Sequence, residues 1–532
     1  MAVPERGGSV TVKEHTLLAD LSLALGMGWG KSGAPMNLAL AFAQSVRRHP
    51  SKTALFWGDA RFSYGRFRAQ TLWVAHRLRT FFGVRPGDRV GLWLKNCPEF
   101  IPALFGVWQA GAVAVPINNF LKPGEVQFIL ADAGINVIIM DESLQEGFAT
   151  VAAARTGLKS LAVESFGADG GRAGGATPDA GEGDLAVIIY TSGTTGHPKG
   201  AMLSHGNLLA NVESCRLVLK AVGEDRFVVL LPMFHSFMLT VGLLLPILVG
   251  GSIVLIKTLH PPKNIVLEII QHRATLLPAV PPFFRALAHS PAPVDLPLRV
   301  CISGGAPLPG EILREFTARF PIPLLEGYGL SEASPVVTFT PIAGPWKAGS
   351  IGVPIRNVEV TIQNEAGQML PPGWTGELCV RGANVMQGYW NQPGATAEVM
   401  RNGWLLTGDI GHCDADGYFY ITDRKTDMLL VNGINVYPRQ IEEVLYGFPG
   451  VREAAVIGIP DARKGEQPLA FVAAHEGVPL QEKSLLEHVR ARLADYKVPR
   501  RVVFLPALPH NATGKILKNE LRKMARHRQP AG

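Results

Sequence analysis

The chain has 532 residues, too many for one hydrophobic core, so at least two domains are expected. Its 47% hydrophobic and 18% charged content excludes a disordered chain, and a net charge of +7 suits small polyanionic ligands without calling for nucleic acid. The five cysteines (Cys97, Cys215, Cys301, Cys379, Cys413) never stand at CxxC spacing, which argues against a disulfide framework or a zinc site and fits a reducing cytoplasm.

Residues 1–36 show no clear pattern and read as an N-terminal extension; their apolar patch is broken by Asp20 and lacks a cationic leader. From Asn37 the pattern alternates helix and strand. NLALAFAQSVRRHP predicts a helix, and TALFWG with DARFSYGRF a strand pair about a Gly-Asp turn. RVGLWL, AVAVPI and NVIIM predict strands, with helices over PEFIPALFGVWQAG and PGEVQFILADAG between them. Short apolar strands alternating with helices predict parallel sheets covered on both faces, an α/β fold. Residues 166–184 read as a Gly/Ala-rich linker; LAVIIY after it predicts a buried strand, and a second αβ series follows: RFVVLLP, GSIVLI, ATLLPAV, LRVCISG and IPLLEGYG.

The uncharged run Phe237–Ile256 has the length of a transmembrane helix, but Pro246 and Gly250-Gly251 divide it. A core helix followed by a buried strand is expected instead, with no integral membrane segment. Over 345–423 the pattern becomes short strands with Gly, Pro and Asn turns, a β-rich part. From 424 to 532 it returns to mixed α and β, a small second domain behind the polar stretch TDRKTD.

Four stretches carry chemistry. TSGTTGHPKG (Thr191–Gly200) offers unhindered backbone N–H groups, the hydroxyls of Thr191, Ser192, Thr194 and Thr195, and one cation, Lys199. It reads as a strand, a loop and then a helix capped by Ser204, equipped to hold a polyphosphate. It is not a Walker loop, because Pro198 stands where Gly must precede Lys. In EGYGLSEAS, Glu326, Gly327, Tyr328 and Gly329 let backbone and a flat ring approach a ligand; Ser331 adds a hydroxyl and Glu332 a hard oxygen suited to Mg²⁺. LLTGDI sets Asp409 at a strand end, where a carboxylate takes two ribose hydroxyls or merely caps a turn. Near the C-terminus, Gly514-Lys515 opens an amphipathic helix.

Taken together, YTSGTTGHPKG, PMFHSF, EGYGLSE, WLLTGD, DRKTDMLLVNGINVYP and NATGKILK resemble the adenylate-forming superfamily over residues 37–525, and within it the bacterial medium- and long-chain fatty acyl-CoA ligases. The resemblance implies a large N-terminal domain (37–423) of two αβ-layered sheets plus a β-barrel-like part, and a small mobile α+β C-terminal domain (424–532). It implies an acid–CoA ligase that uses ATP, Mg²⁺ and CoA: a carboxylic acid becomes an acyl adenylate with loss of pyrophosphate, and CoA then takes the acyl group.

By the same resemblance, Thr191, Ser192, Gly193, Thr194, Thr195, Gly196 and Lys199 close on the phosphates, and Glu332 with Thr191 binds Mg²⁺. Tyr328 stacks on adenine beside Gly304, Gly305 and Ala306. Asp409 and Arg424 hold the ribose, and His235 stands at the acyl entrance. Lys515 bridges carboxylate and α-phosphate, then withdraws as the small domain turns and Gly433 admits the CoA arm. The hinge position holds Thr426 where the family usually has Asp or Lys. A medium- or long-chain fatty acid is the expected substrate, with an aryl acid, or acyl transfer to a carrier protein, as alternatives. A cytoplasmic monomer or homodimer that binds no nucleic acid is expected, with peripheral membrane contact left open.

Overall fold

A computed structural model describes residues 36–167, 180–191, 198–259, 261–291, 293–431, 434–461, 463–511 and 514–527. The short apolar runs form its strands. Val113–Pro116, Val137–Met140 and Val300–Ser303 are buried at every position, as strands covered on both faces must be.

One sheet has the strand order Gly388–Tyr389, Lys199–Ser204, Leu185–Thr191, Val113–Pro116, Arg89–Trp93, Val137–Met140, Lys159–Ala162, parallel from Leu185–Thr191 onward. A second runs Val353–Pro354, Val336–Phe339, Leu324–Gly329, Val300–Ser303, Leu276–Ala279, Arg226–Val229, Ser252–Leu255, Thr53–Trp57, Ala60–Ser63, parallel from Leu324–Gly329 to Thr53–Trp57. Helices lie between the two sheets. Phe42, Phe67, Leu104, Leu208 and Leu248 from those helices join Val90 and Val187 of the first sheet and Phe227 and Ile253 of the second in one core. Full burial of each such side chain is worth about 1.5–3 kcal/mol.

Two further sheets complete the chain. Val358–Gln363, Gly376–Gly382, Trp404–Cys413, Met400–Arg401 and Phe419–Arg424 form the antiparallel β-rich part. Leu429–Val431, Ile434–Val436, Val451–Asp461, Gly465–Ala474 and Val502–Phe504 form the sheet of the small domain, covered by helices Pro438–Tyr446 and Glu482–Arg490 on one side and Lys518–His527 on the other.

The run Phe237–Ile256 is core, as its Pro and Gly interruptions predict. Met238–Leu244 is π-helical and Leu245–Val249 α-helical, both fully buried. Gly250 ends the helix at φ +81°, and Ser252–Leu255 enters the second sheet. Among the described residues no helix is long and apolar enough to cross a membrane. The sequence reading differs from the structure in several places. The strand expected through DARFSYGRF stops at Ser63, whose hydroxyl accepts the Arg66 N–H at 3.1 Å and starts helix Tyr64–Thr80. The phosphate-loop stretch does not run directly into a helix: Lys199–Ser204 returns antiparallel beside Leu185–Thr191, and only then does Ser204 cap helix His205–Leu219. Asp409 lies inside the strand Trp404–Cys413 rather than at its end.

Candidate active site

Parallel strands deliver their C-terminal ends to one edge of a sheet, and ligands bind there in open α/β folds. Leu276–Ala279, Val300–Ser303 and Leu324–Gly329 are neighbours, with Ala279, Ser303 and Glu326 level. Past them stand Val280, the Gly304-Gly305-Ala306 turn and Gly327-Tyr328-Gly329. A cavity of about 2070 Å³ opens at this edge. Thr191, Lys199, His235, Ser331, Glu332, Asp409, Arg424, Thr426 and Lys515 all line it, so the structure brings these sequence-predicted residues together.

Asp409 is the most constrained of them. It is 2% exposed. Its Oδ2 accepts the Tyr328 hydroxyl at 2.6 Å, and its Oδ1 meets the Arg424 Nε at 2.8 Å. Arg424 stands opposite it on the neighbouring strand, so cross-strand register makes the pair. Thr407, which the sequence reading passed over, accepts the Asp409 N–H at 3.0 Å and fixes the local backbone. Burial, then the Asp409 charge, raises the Tyr328 hydroxyl well above its ordinary value, so it stays a donor and its ring is held rigid.

Glu332 sits on a short turn after Leu324–Gly329. Its Oε1 accepts the Tyr389 hydroxyl at 2.8 Å, and the Lys199 ammonium stands 5.2 Å from the centre of the Tyr389 ring. Lys199 is the register partner of Thr191, whose hydroxyl donates to the Lys199 carbonyl at 3.4 Å. Cation, carboxylate and hydroxyl thus gather at one end of the cleft around Tyr389. The sequence offered only a Gly-Tyr-Trp step for Tyr389, and nothing in it placed that ring beside Glu332. Among the described residues no group of three or more His, Cys, Asp or Glu forms a metal cluster.

The glycines matter through close approach. A Cβ on Gly329 would stand 2.0 Å from the Pro335 carbonyl oxygen, and one on Gly304 3.1 Å from the Phe237 ring. Gly305 turns the backbone at φ +77°. Glu326 is buried, and its Oε1 accepts the Leu308 N–H at 3.1 Å, tying down the loop that carries Gly304-Gly305-Ala306. Burial pushes the Glu326 carboxyl up to about 7, against the pull of Arg439. Ser331 shares a 3.0 Å hydrogen bond with Ser236.

His235 and Lys515 line the same cavity. Burial, then the Lys515 charge, pushes the His235 ring down to about 4, so it is neutral near pH 7. Burial, then Arg424, also lowers the Lys515 ammonium, while Asp409 and Asp427 act to raise it. Thr426 lies in a turn closed by Asp427 N–H to Arg424 carbonyl at 3.0 Å. Asp427 in turn holds Arg522 of the last helix at 2.5 Å. Ser192, Gly193, Thr194, Thr195, Gly196 and Gly433 lie outside the described residues.

With this geometry in place, the chain can be set beside known proteins. Residues 42–390 match the family model described as AMP-binding enzyme, and residues 440–515 that of the AMP-binding enzyme C-terminal domain. The feruloyl-CoA synthase of an Amycolatopsis species is 40% identical over 484 residues, covering 90% of this chain and 97% of that protein. The long-chain-fatty-acid–CoA ligase of Bacillus subtilis is 35% identical over 539 residues, covering 91% of this chain and 94% of that one. Among solved structures, ATP-bound MatB from Rhodopseudomonas palustris superimposes with a TM-score of 0.85 at 33% identity, over 92% of this chain and 99% of MatB. Apo MatB gives 0.74, so the arrangement here is nearer to that of the ATP-bound form.

Proposed function

The chain belongs to the AMP-binding enzyme family and is an acyl-CoA synthetase of the AMP-forming type, an acid–thiol ligase; from that premise we propose that it activates a monocarboxylic acid with an elongated apolar tail, a medium- or long-chain fatty acid in the first place, and passes the acyl group to CoA. One observation carries the substrate class. Part of the cavity wall is Cys215, Leu219, Val241, Ile302 and Val336 with Phe237, all members of one apolar core, and the cations Arg285, Arg439 and Arg452 that line the same cavity are each already paired with a glutamate. An apolar wall selects by shape, about 1–3 kcal/mol per methylene. An aryl acid is the second reading: the relative at 40% identity is named feruloyl-CoA synthase, and the Phe237 ring over Gly304 offers a stacking face.

In this proposal two anions, carboxylate and ATP, must meet in one cleft, so the site neutralises charge and fixes geometry. Asp409 takes the ribose hydroxyls through the oxygens it now shares with Tyr328 and Arg424, and the Tyr328 ring and the Gly304–Ala306 turn flank adenine. Thr191 and Lys199, with the loop between them, hold the outer phosphates. The donor set at Glu332 fits Mg²⁺: one carboxylate and a hydroxyl leave most positions to phosphate oxygens and water, the usual pattern for that ion. Glu332 and Thr191 would hold it there, where it would offset phosphate charge. Lys515 bridges the carboxylate and the α-phosphate. Neutral His235 lets the acid pass without trapping it as a salt pair. The boundary between the domains falls at Asp423/Arg424, and the small domain turns about Arg424–Asp427 for thioester formation.

The test is kcat/KM for straight-chain acids of graded length against hydroxycinnamic acids. A maximum at medium or long alkyl chains is expected. A preference for short or dicarboxylic acids would overturn the apolar-tail reading, and one for ring acids would favour the second reading. Phe237→Ala, which removes the ring over Gly304, is expected to shift relative kcat/KM toward bulkier tails by about tenfold, within the 1–3 kcal/mol that wall contacts supply, with KM for ATP unchanged. An unaltered ranking of acids would take Phe237 out of the wall.

A further inference from the structure

Lys515 is held in the cleft by residues given no part in the nucleotide site above, Arg285, Glu453 and His510 among them, which line the same cavity. Helix Pro281–Ala288 of the large domain begins just after Val280, and a Cβ on Gly514 would stand 3.4 Å from the Val280 Cγ2. The turn that carries Lys515 therefore rests on the start of that helix. Farther along the same helix is Arg285, 7% exposed. Its Nη1 donates across the domain junction to the Arg452 carbonyl at 2.9 Å, and its Nη2 is held by Glu315 at 3.2 Å and approached by Glu311 at 3.8 Å.

From Arg452 the contacts continue to the turn. The next residue, Glu453, meets the His510 Nε2 at 3.1 Å and accepts the Leu508 N–H at 3.3 Å. His510 bridges to Ile516 across the base of the turn. At its tip the Asn511 N–H donates to the Lys515 carbonyl and the Lys515 N–H to the Asn511 Oδ1, each at 2.9 Å. A continuous path thus joins the large domain to Lys515: Glu315, Arg285, Arg452, Glu453, His510, then the turn.

We propose that the Glu453–His510 ion pair, seated on the large domain through Arg285, is the positioning device that sets Lys515 for the first half-reaction. The proposal rests on the role given to Lys515 above. None of the three residues touches the acid or the phosphates in that reading; they act through the turn. The Arg285–Arg452 contact crosses the domain junction and must break if the small domain turns. Loosening the path should therefore slow adenylation and spare thioester formation. A misplacement of about 1 Å at a reacting centre costs on the order of a hundredfold.

The pair also gives a pH signature. The hydrogen bond that its Nε2–H donates to Glu453 raises the His510 ring above its ordinary 6.5, against burial and the nearby Arg452 charge. For Glu453, burial acts upward, but His510 and the Leu508 N–H outweigh it and hold the carboxyl low. A histidine raised on folding contributes its pairing fully below its ordinary value and loses it as pH rises through the raised one. Adenylation is thus expected to fall on the alkaline side as His510 loses its proton.

The experiment measures the two half-reactions of the full chain separately, in wild type, Glu453→Gln, Arg285→Met, His510→Arg and Lys515→Ala, across pH. Pyrophosphate release from acid plus ATP reads the first, and thioester formed from synthetic acyl adenylate and CoA reads the second. Glu453→Gln and Arg285→Met should each lose about tenfold or more in the first and stay within about twofold in the second. His510→Arg, which keeps a permanent charge opposite Glu453, should retain the first half-reaction and lose its alkaline limb. If Lys515→Ala abolishes adenylation while Glu453→Gln and Arg285→Met leave it untouched, the positioning role is overturned and the Lys515 reading stands. If Lys515→Ala leaves adenylation unchanged, that reading and the positioning role both fail. Equal loss in both half-reactions for Glu453→Gln and Arg285→Met would mark the path as structural and also overturn the proposal.

Discussion

Lys515→Ala should lower acid-dependent pyrophosphate release by several powers of ten and leave thioester formation from acyl adenylate and CoA near its normal rate. The ammonium lines the same cavity as His235, Asp409 and Arg424, beside the edge where Gly304 and Tyr328 stand. Its affinity for a proton is reduced by burial and by Arg424, against the pull of Asp409 and Asp427. In the proposed reaction two anions, the carboxylate and the α-phosphate, would come to share this cation. Losing a charge that acts in the transition state costs about 3–5 kcal/mol by comparison with removed electrostatic donors. The sparing of the second half-reaction follows from where Lys515 is mounted, on a turn of the small domain that meets the large one through Val280 and Arg285. A rotation of that domain would carry the ammonium away. Equal loss in both half-reactions would mean that Lys515 stays put, and the rotation would have to be given up.

How much of this was legible in the sequence depends on the range of the interaction. Local chemistry was readable. Ser204 capping His205–Leu219, Pro246 and Gly250 dividing the apolar run, and the two αβ series all follow from neighbours in the chain. The helix Tyr64–Thr80 was passed over because Tyr64, Phe67 and Trp73 favour strands on propensity, while packing against Phe100–Gln109 decided otherwise. The return strand Lys199–Ser204 was hidden for a similar reason: six residues with a Gly inside give little periodicity, and its pairing with Leu185–Thr191 is a tertiary fact. The site was legible as motifs but not as contacts. Asp409, Tyr328 and Arg424 were each named, yet the sharing of one carboxylate between a hydroxyl and a guanidinium joins residues 81 apart in the chain. Tyr389 was invisible because its partner, Glu332, lies 57 residues away. The small-domain contacts to Val280 and Arg285 were beyond reach for the same reason: nothing local marks a docking surface.

Asp409→Asn should reduce kcat/KM for ATP by about a hundredfold, and unlike Lys515→Ala it should depress both half-reactions. The carboxylate is buried, and each oxygen already accepts one strong donor, Tyr328 at 2.6 Å and Arg424 at 2.8 Å. Two ribose hydroxyls donating to it would each form a charge-assisted bond worth about 1.5–3 kcal/mol. The amide keeps the shape but accepts on one side only and presents N–H groups on the other. The loss is therefore roughly 3 kcal/mol, or about a hundredfold. Both ATP and the acyl adenylate carry the ribose, so the penalty falls on each half-reaction, whereas the charge of Lys515 is needed in one. The fold should survive: Arg424 has 45% of its side chain in solvent, so water takes over its lost partner at modest cost. Tyr328 keeps an acceptor in the amide oxygen. Circular dichroism should stay native-like, with a melting temperature a few degrees lower. A variant that keeps wild-type KM and kcat for ATP would remove Asp409 from the nucleotide site. One that loses only the first half-reaction would place it beside Lys515 in the transition state instead of on the ribose.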